Sequence, residues 1–211
     1  MDPRSKHPLW EPPLSTYIPP SKDDACQADR DNEADIRIYM DGSGVDGHIG
    51  AAAILNYGFR VPRTARFHLG SNMEHMVFES ELIRQLLGLN LLHSMSTNIN
   101  RHQVSIHVDS LAAIKPHNSR GKAPADYILN KIHLLARKIS TAFSNIKLKV
   151  RWTPGHKGIP GNEEADKEAK KAATSPAPNT MAHFGIFQSC LPASRTAHLQ
   201  QLKEIASDWH G

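Results

Sequence analysis

The sequence predicts an α/β domain in which a mixed β-sheet carries helices on its faces, and three observations lead there. Runs of period-two apolar alternation and runs of helical spacing succeed one another in the order β-β-β-α-β-α-α-β-α between residues 35 and 174. The first three β-type runs are separated by Gly-bearing turns, the pattern of an antiparallel meander. A length of 211 residues is that of one domain with appendages, and 39% apolar residues is low for a globular chain, so part of it should lie outside the core.

Residues 1–34 contain Pro3, Pro8, Pro12, Pro13, Pro19 and Pro20 and then the polar, acidic stretch SKDDACQADRDNEAD, which reads as an extended or disordered tail or linker. In IRIYMDGSG, Ile36, Ile38 and Met40 alternate with Arg37 and Tyr39, a strand expected to end at Asp41-Gly42-Ser43-Gly44. IGAAAIL at 49–55 is a second strand, and FRVPRTARFHL at 59–69 a third, which Pro62 assigns to a sheet edge or a bulge. Residues 74–93 are rich in helix formers and read as a long, mostly buried helix. VSIHVDS at 104–110 alternates as a strand, and LAAIK at 111–115 is a short helix closed by Pro116. Residues 125–143 place Ile128, Leu129, Ile132, Leu135, Ala136 and Ile139 on one side and Lys131, Arg137 and Lys138 on the other, a basic amphipathic helix. IKLKVRW at 146–152 is the last strand, TPGHKGIPG at 153–161 a loop, and NEEADKEAKKAA at 162–173 a charged helix with Asn162 as its expected N-cap. After a linker beginning near residue 175, Leu199, Leu202, Ile205, Ala206 and Trp209 mark a short amphipathic helix over 193–209, a candidate protein-contact element.

Composition excludes several classes of function. No run approaches the roughly 18 consecutive apolar residues of a membrane span, and the N-terminus lacks a secretory layout. Cys26 and Cys190 alone supply neither a disulfide framework nor a cysteine zinc site, so a reducing compartment, nuclear or cytoplasmic, is expected. The net charge is +4, but residues 35–174 carry +7, and residues 115–157 hold ten basic residues against the single acid Asp126. Such a block suits a polyanion such as a nucleic-acid backbone, although it is equally the composition of a solvated helix face.

Four acids stand where a core acid is not expected: Asp41 and Asp109 at strand ends, Glu81 early in the long helix and Asp166 in the first turns of the last one. Singly, each has a plain explanation as a turn former, cap or surface residue. Jointly they are informative, because the ends of neighbouring strands share an edge where ligands bind, and gathered carboxylates repel unless a cation neutralises them. Oxygen donors select hard cations such as Mg²⁺ or Mn²⁺, and two such ions about 3.5–4 Å apart serve phosphodiester hydrolysis.

YMDGSG at 39–44, HMVFESELIRQLLGLNLL at 75–92, VDSLAAI at 108–114 and, most specifically, RWTPGHKGIPGNEEADKEAKKA at 151–172 together resemble the type 1 ribonuclease H domain, in particular that of fungal non-LTR retrotransposons. The likeness covers residues 35–174, with 40, 28 and 57 residues between successive acids. It implies a ribonuclease H-like fold with a five-stranded mixed sheet, and endonucleolytic cleavage of the RNA strand of an RNA/DNA hybrid with two Mg²⁺ ions, Mn²⁺ substituting. It also implies Asp41, Glu81, Asp109 and Asp166 as metal-binding catalytic acids, and His156 as a mobile histidine assisting proton transfer or product departure.

Glu79 and Glu81 compete for the helix carboxylate, since two residues apart on a helix they point about 200° apart. Periodicity leaves the choice open: Glu79 aligns with Leu82, Ile83 and Leu86, and Glu81 with Arg84, Gln85 and Gly88. The resemblance selects Glu81, which directly precedes a Leu. Gly42 and Ser43 are candidates for reading the RNA 2′-hydroxyl, and Asn162 and Glu163 match the terminal motif. Gly121, Lys122 and the basic helix are candidates for DNA-strand phosphates, whereas Trp152 is expected to pack the last strand. No polymerase-type double-aspartate motif occurs, so the domain is expected to stand apart from a reverse transcriptase. The rival expectations are a hybrid-binding remnant that does not cut, another nuclease or strand transferase of the same fold, and an interaction protein acting through its terminal helix.

Overall fold

A computed structural model describes residues 12–175 apart from 74, 76, 96–98, 100, 101, 119–124 and 144. Its elements are β1 (Ser15–Tyr17), α1 (Lys22–Arg30), β2 (Ile36–Val45), β3 (His48–Tyr57), β4 (Arg63–Ser71), α2 (Val77–His93), β5 (Gln103–Val108), α3 (Leu111–Ile114), α4 (Asp126–Ala142), β6 (Lys147–Trp152) and α5 (Pro160–Thr174), with a 3₁₀ turn over Lys115–Asn118. The strands form one sheet in the order β1-β6-β5-β2-β3-β4. β2, β3 and β4 are antiparallel neighbours, whereas β5 runs parallel to both β2 and β6, so the sheet is mixed as expected. Pro62 precedes β4, which lies at the sheet edge, where a missing N–H is tolerated.

The sheet has six strands rather than five, and the extra one comes from the segment read as a tail. Ser15–Tyr17 pair in parallel with Lys149–Arg151. Helix α1 follows, its N-terminus capped by Ser21, which accepts from the Asp24 amide, with Asp23 and Asp24 in the first turn. Composition misleads here because these polar residues answer buried polar partners rather than solvent. Asn32 Nδ2 donates to Ser105 Oγ at 2.8 Å, Arg151 donates to Asn32 Oδ1 and to the Ala28 carbonyl at 2.9 Å, and Tyr39 Oη donates to Asp29 at 3.0 Å. They enclose His107, which burial first, and then Arg151 and Arg37, push down to about 3, so it is a neutral hydrogen-bonding core residue. Residues 1–11 and 176–211, including the expected helix at 193–209, lie outside the described residues, as do Gly121 and Lys122.

Helices cover both faces. Ile38 and Met40 point to one side of β2 and Tyr39 to the other. α2 lies on the first side, so close that a Cβ at Gly88 would meet Met40 Sδ at 2.7 Å. α5 lies on the second, where a Cβ at Gly161 would overlap the Tyr39 ring at 2.3 Å and one at Gly50 would meet the α5 backbone at Ala173 N, also at 2.3 Å. Buried Ala165, Ala169, Ala172 and Ala173 give α5 the smooth face this approach requires. The basic helix α4 packs its buried Ile128, Leu129, Ile132 and Ala136 towards α2 and leaves Arg137 and Lys138 exposed. Among the described residues no helix is long and apolar enough to cross a membrane.

Two boundaries differ from expectation. β2 does not stop at Asp41 but continues to Val45, because Asp41, Gly42, Ser43 and Gly44 keep pairing with β3. α5 begins at Pro160, with Ile159 at the cap position, so Asn162 lies inside the helix, buried, rather than capping it. Proline's fixed φ and missing N–H suit the first helical position, and that preference prevails over the N-cap preference of Asn.

Candidate active site

The acids meet because of strand register. β2 and β5 pair up to Tyr39↔His107, so Asp41 and Asp109, each two residues further on, emerge level at the edge where β5 stops. There β2 loses its parallel neighbour but keeps β3, which opens a notch at the carboxyl end of the parallel strands. The start of α2 closes this notch from above. A Cβ at Gly42 would sit 2.7 Å from Ser80 Oγ, so glycine there lets the helix approach and Glu81 turn towards Asp41 and Asp109. Beneath Asp109, its carbonyl accepts from Trp152 Nε1 at 2.9 Å, which ties the acid to the end of β6; Trp152 also packs against the core.

The three carboxylates share one cation. Arg84, wholly buried, directs Nη1 to Asp41 Oδ1 at 3.2 Å and Nη2 to Asp109 Oδ1 at 2.6 Å, and also pairs with Glu81 one turn earlier on α2. Even so, burial, followed by the charge of Asp109, pushes Asp41 up to about 6, with Arg84 and the Gly42 amide pulling the other way. Burial also raises Glu81, opposed by Arg84. Asp166 adds to the field that raises Asp41 and is held by Lys170 at 2.7 Å. All four acids therefore act on one region.

Glu79 faces elsewhere: its carboxylate lies 3.4 Å from His75 Nδ1 and accepts from Tyr127 Oη, also at 3.4 Å. His156 is exposed on the loop before α5 and adopts a left-handed φ of 54°. The loop passes the site, since a Cβ on the neighbouring Gly155 would lie 3.3 Å from Asp109 Oδ2. Gly158 takes the second left-handed position, at φ 69°. Of the candidate substrate contacts, Ser43 is half-buried beside the notch and Gly42 donates its amide to Asp41 Oδ1 at 2.7 Å. Asn162 is buried beneath the surface, while Glu163 is half-exposed.

The donor set is chemically that of a hard divalent cation, carboxylate oxygens throughout. Among the described residues, however, no three candidate ligands are arranged to hold a metal ion. Instead, the guanidinium of Arg84, a residue not singled out from the sequence, lies against Asp41, Glu81 and Asp109. Its signal was present: Arg84 follows Glu81 by three positions, the spacing of an ion pair along one helix side.

The family model for RNase H matches residues 33–174. Among solved structures, the chain is similar to RNase H1 from the halophilic archaeon Halobacterium salinarum NRC-1, at 17% identity and a TM-score of 0.48, over 65% of this chain and 96% of that one. It is also similar to the protease-reverse transcriptase of prototype foamy virus, at 14% identity and a TM-score of 0.50, over 68% of this chain and 21% of that one. A third likeness is to LC11-RNase H1 in complex with an RNA/DNA hybrid, at 15% identity and a TM-score of 0.48, over 65% and 96% of the two chains. A search of curated protein sequences finds no match.

Proposed function

The chain belongs to the RNase H family, and from that premise we propose that it hydrolyses the RNA strand of RNA/DNA hybrids with divalent cations held by Asp41, Glu81, Asp109 and Asp166. The observation that carries this reading is the meeting of Asp41, Glu81 and Asp109, from a strand, a helix and a strand end, around one buried positive group, with Asp166 acting on the same region. Mg²⁺, or Mn²⁺ in its place, would supply an acidified water and charge stabilisation at the leaving oxygen of a phosphodiester.

The chain's own groups have separable tasks. The carboxylates fix where the scissile phosphate must sit, at the notch beside β5. The Gly42–Ser43 segment next to Asp41 is placed to meet a 2′-hydroxyl, the group that distinguishes RNA from DNA at one nucleotide. His156, on a loop bounded by Asp109 and the left-handed Gly158, is an imidazole able to exchange a proton as product leaves. Arg137 and Lys138 on α4, with Lys122 earlier in the sequence, supply positive charge for the DNA strand.

The working unit is residues 35–174, to which β1 adds an edge strand, and the resemblance carried by the motifs at 39–44, 75–92, 108–114 and, most specifically, 151–172 supports an origin among the domains of fungal non-LTR retrotransposons. A nuclear or cytoplasmic site of action follows from the cysteine content. A specific observation favours a second reading, the hybrid-binding protein that does not cut: Arg84 already satisfies the carboxylates.

Asp109→Asn separates the two readings. It keeps the backbone carbonyl that holds Trp152 and removes one anionic donor. Loss of hybrid cleavage with retained hybrid binding is expected; a wild-type protein that binds hybrid but never cuts it establishes the second reading.

A further inference from the structure

Burying a guanidinium costs several kcal/mol unless its donors are paired, which makes a fully buried arginine in need of a reason. Around Arg84 the reason is visible. Nη1 reaches Asp41, and Nη2 reaches both Glu81 and Asp109, so the two terminal nitrogens serve three carboxylates, while Nε finds no partner among the described residues. An arginine placed for packing would satisfy Nε and face fewer acids.

We propose that Arg84 is the resident cation of this site, competing with divalent ions for Asp41, Glu81 and Asp109, so that a metal is taken up only as the guanidinium gives up its carboxylates. This rests on the reading of those acids as metal ligands. The guanidinium fills the place between the three carboxylates and engages their oxygens, so an ion that takes those oxygens must displace it. The arrangement keeps the metal-free site folded and charge-compensated, and it raises the divalent ion concentration needed to load it. Below that concentration the chain binds hybrid without cutting.

The test is Mn²⁺ binding by the purified chain, read as loss of the free-ion electron paramagnetic resonance signal, in wild type, Arg84→Met and Arg84→Lys. Methionine keeps most of the buried volume and removes the charge, whereas lysine keeps the charge. Arg84→Met is expected to bind Mn²⁺ at least about tenfold more tightly than wild type, because a positive charge beside the ion has gone. Arg84→Lys is expected to stay closer to wild type than to Arg84→Met. In EDTA the Met variant should melt below wild type, and Mn²⁺ should raise its melting temperature by more. If Arg84→Met does not fold without metal, its folding midpoint in a Mn²⁺ titration reads the same affinity. Equal affinity in wild type and Arg84→Met overturns the proposal, as does a Met variant that Mn²⁺ cannot fold. Absence of Mn²⁺ binding in wild type and both variants removes the metal-nuclease reading itself and this proposal with it, whereas equal binding by all three removes only the role of Arg84.

Discussion

Replacing Asp41 by Asn is expected to stabilise the metal-free protein at neutral pH. In the folded chain its carboxyl is pushed from 3.8 up to about 6, chiefly by burial and then by Asp109. Between those two pH values the native state holds a proton that the unfolded chain has lost, so stability falls as pH rises through the window and the full loss is present above about pH 6. A shift of that size corresponds to about 3 kcal/mol of native-state destabilisation at pH 7.5. Asparagine has nearly the same shape and still offers an oxygen to the Gly42 amide and to Arg84 Nη1, without the buried charge. Urea unfolding of both proteins in EDTA, from pH 4 to 8, reads the difference directly. Asp41→Asn should be more stable by up to about 3 kcal/mol at pH 7.5, with the gain shrinking towards zero as pH falls to 4. A variant that is less stable at pH 7.5, or a difference independent of pH, would refute the reasoning that burial of this charge strains the metal-free fold.

Three further outcomes are expected. Gly50→Ala drives a methyl into the α5 backbone at Ala173 and Ala169 and should lower stability by at least about 2 kcal/mol, read as a drop in the urea midpoint at unchanged slope. His156→Asn tolerates the left-handed backbone, so it should keep hybrid binding and the unfolding midpoint while slowing cleavage about 100-fold, the loss of a positioned proton carrier; an unchanged rate would make His156 an ordinary exposed loop residue. Truncation after residue 175 should leave hybrid cleavage intact, because all four acids and His156 precede it, and a folded truncation that no longer cuts would contradict this.

Elements whose burial follows from their own periodicity were legible in the sequence. Ile36, Ile38 and Met40, or the apolar side of α4, need only a sheet or a helix above them to be placed. The meander, with its proline-marked edge strand, followed from local turn chemistry. Elements whose burial depends on distant partners were not legible. Asp29 and Asn32 look like a solvated acidic stretch until Tyr39, Ser105 and Arg151 reach them from the sheet, and β1 exists because β6 offers an edge. The same cause hides Arg84. Glu81, Arg84, Gln85 and Gly88 form a polar and small side of α2, and on this side too Arg84 and Gln85 are buried and Gly88 lies against Met40. A helix buried on nearly all sides has no periodicity to read, which is why spacing could not choose between Glu79 and Glu81 and contact geometry distinguishes them.

The most direct measurement is cleavage of a labelled RNA strand annealed to DNA, with Mg²⁺, with Mn²⁺ or with EDTA, beside single-stranded RNA and double-stranded DNA as alternative substrates. The account predicts cutting of the hybrid alone, dependent on the divalent ion and rising steeply with its concentration. A folded protein that binds the hybrid and leaves it whole at every concentration of either ion would contradict it.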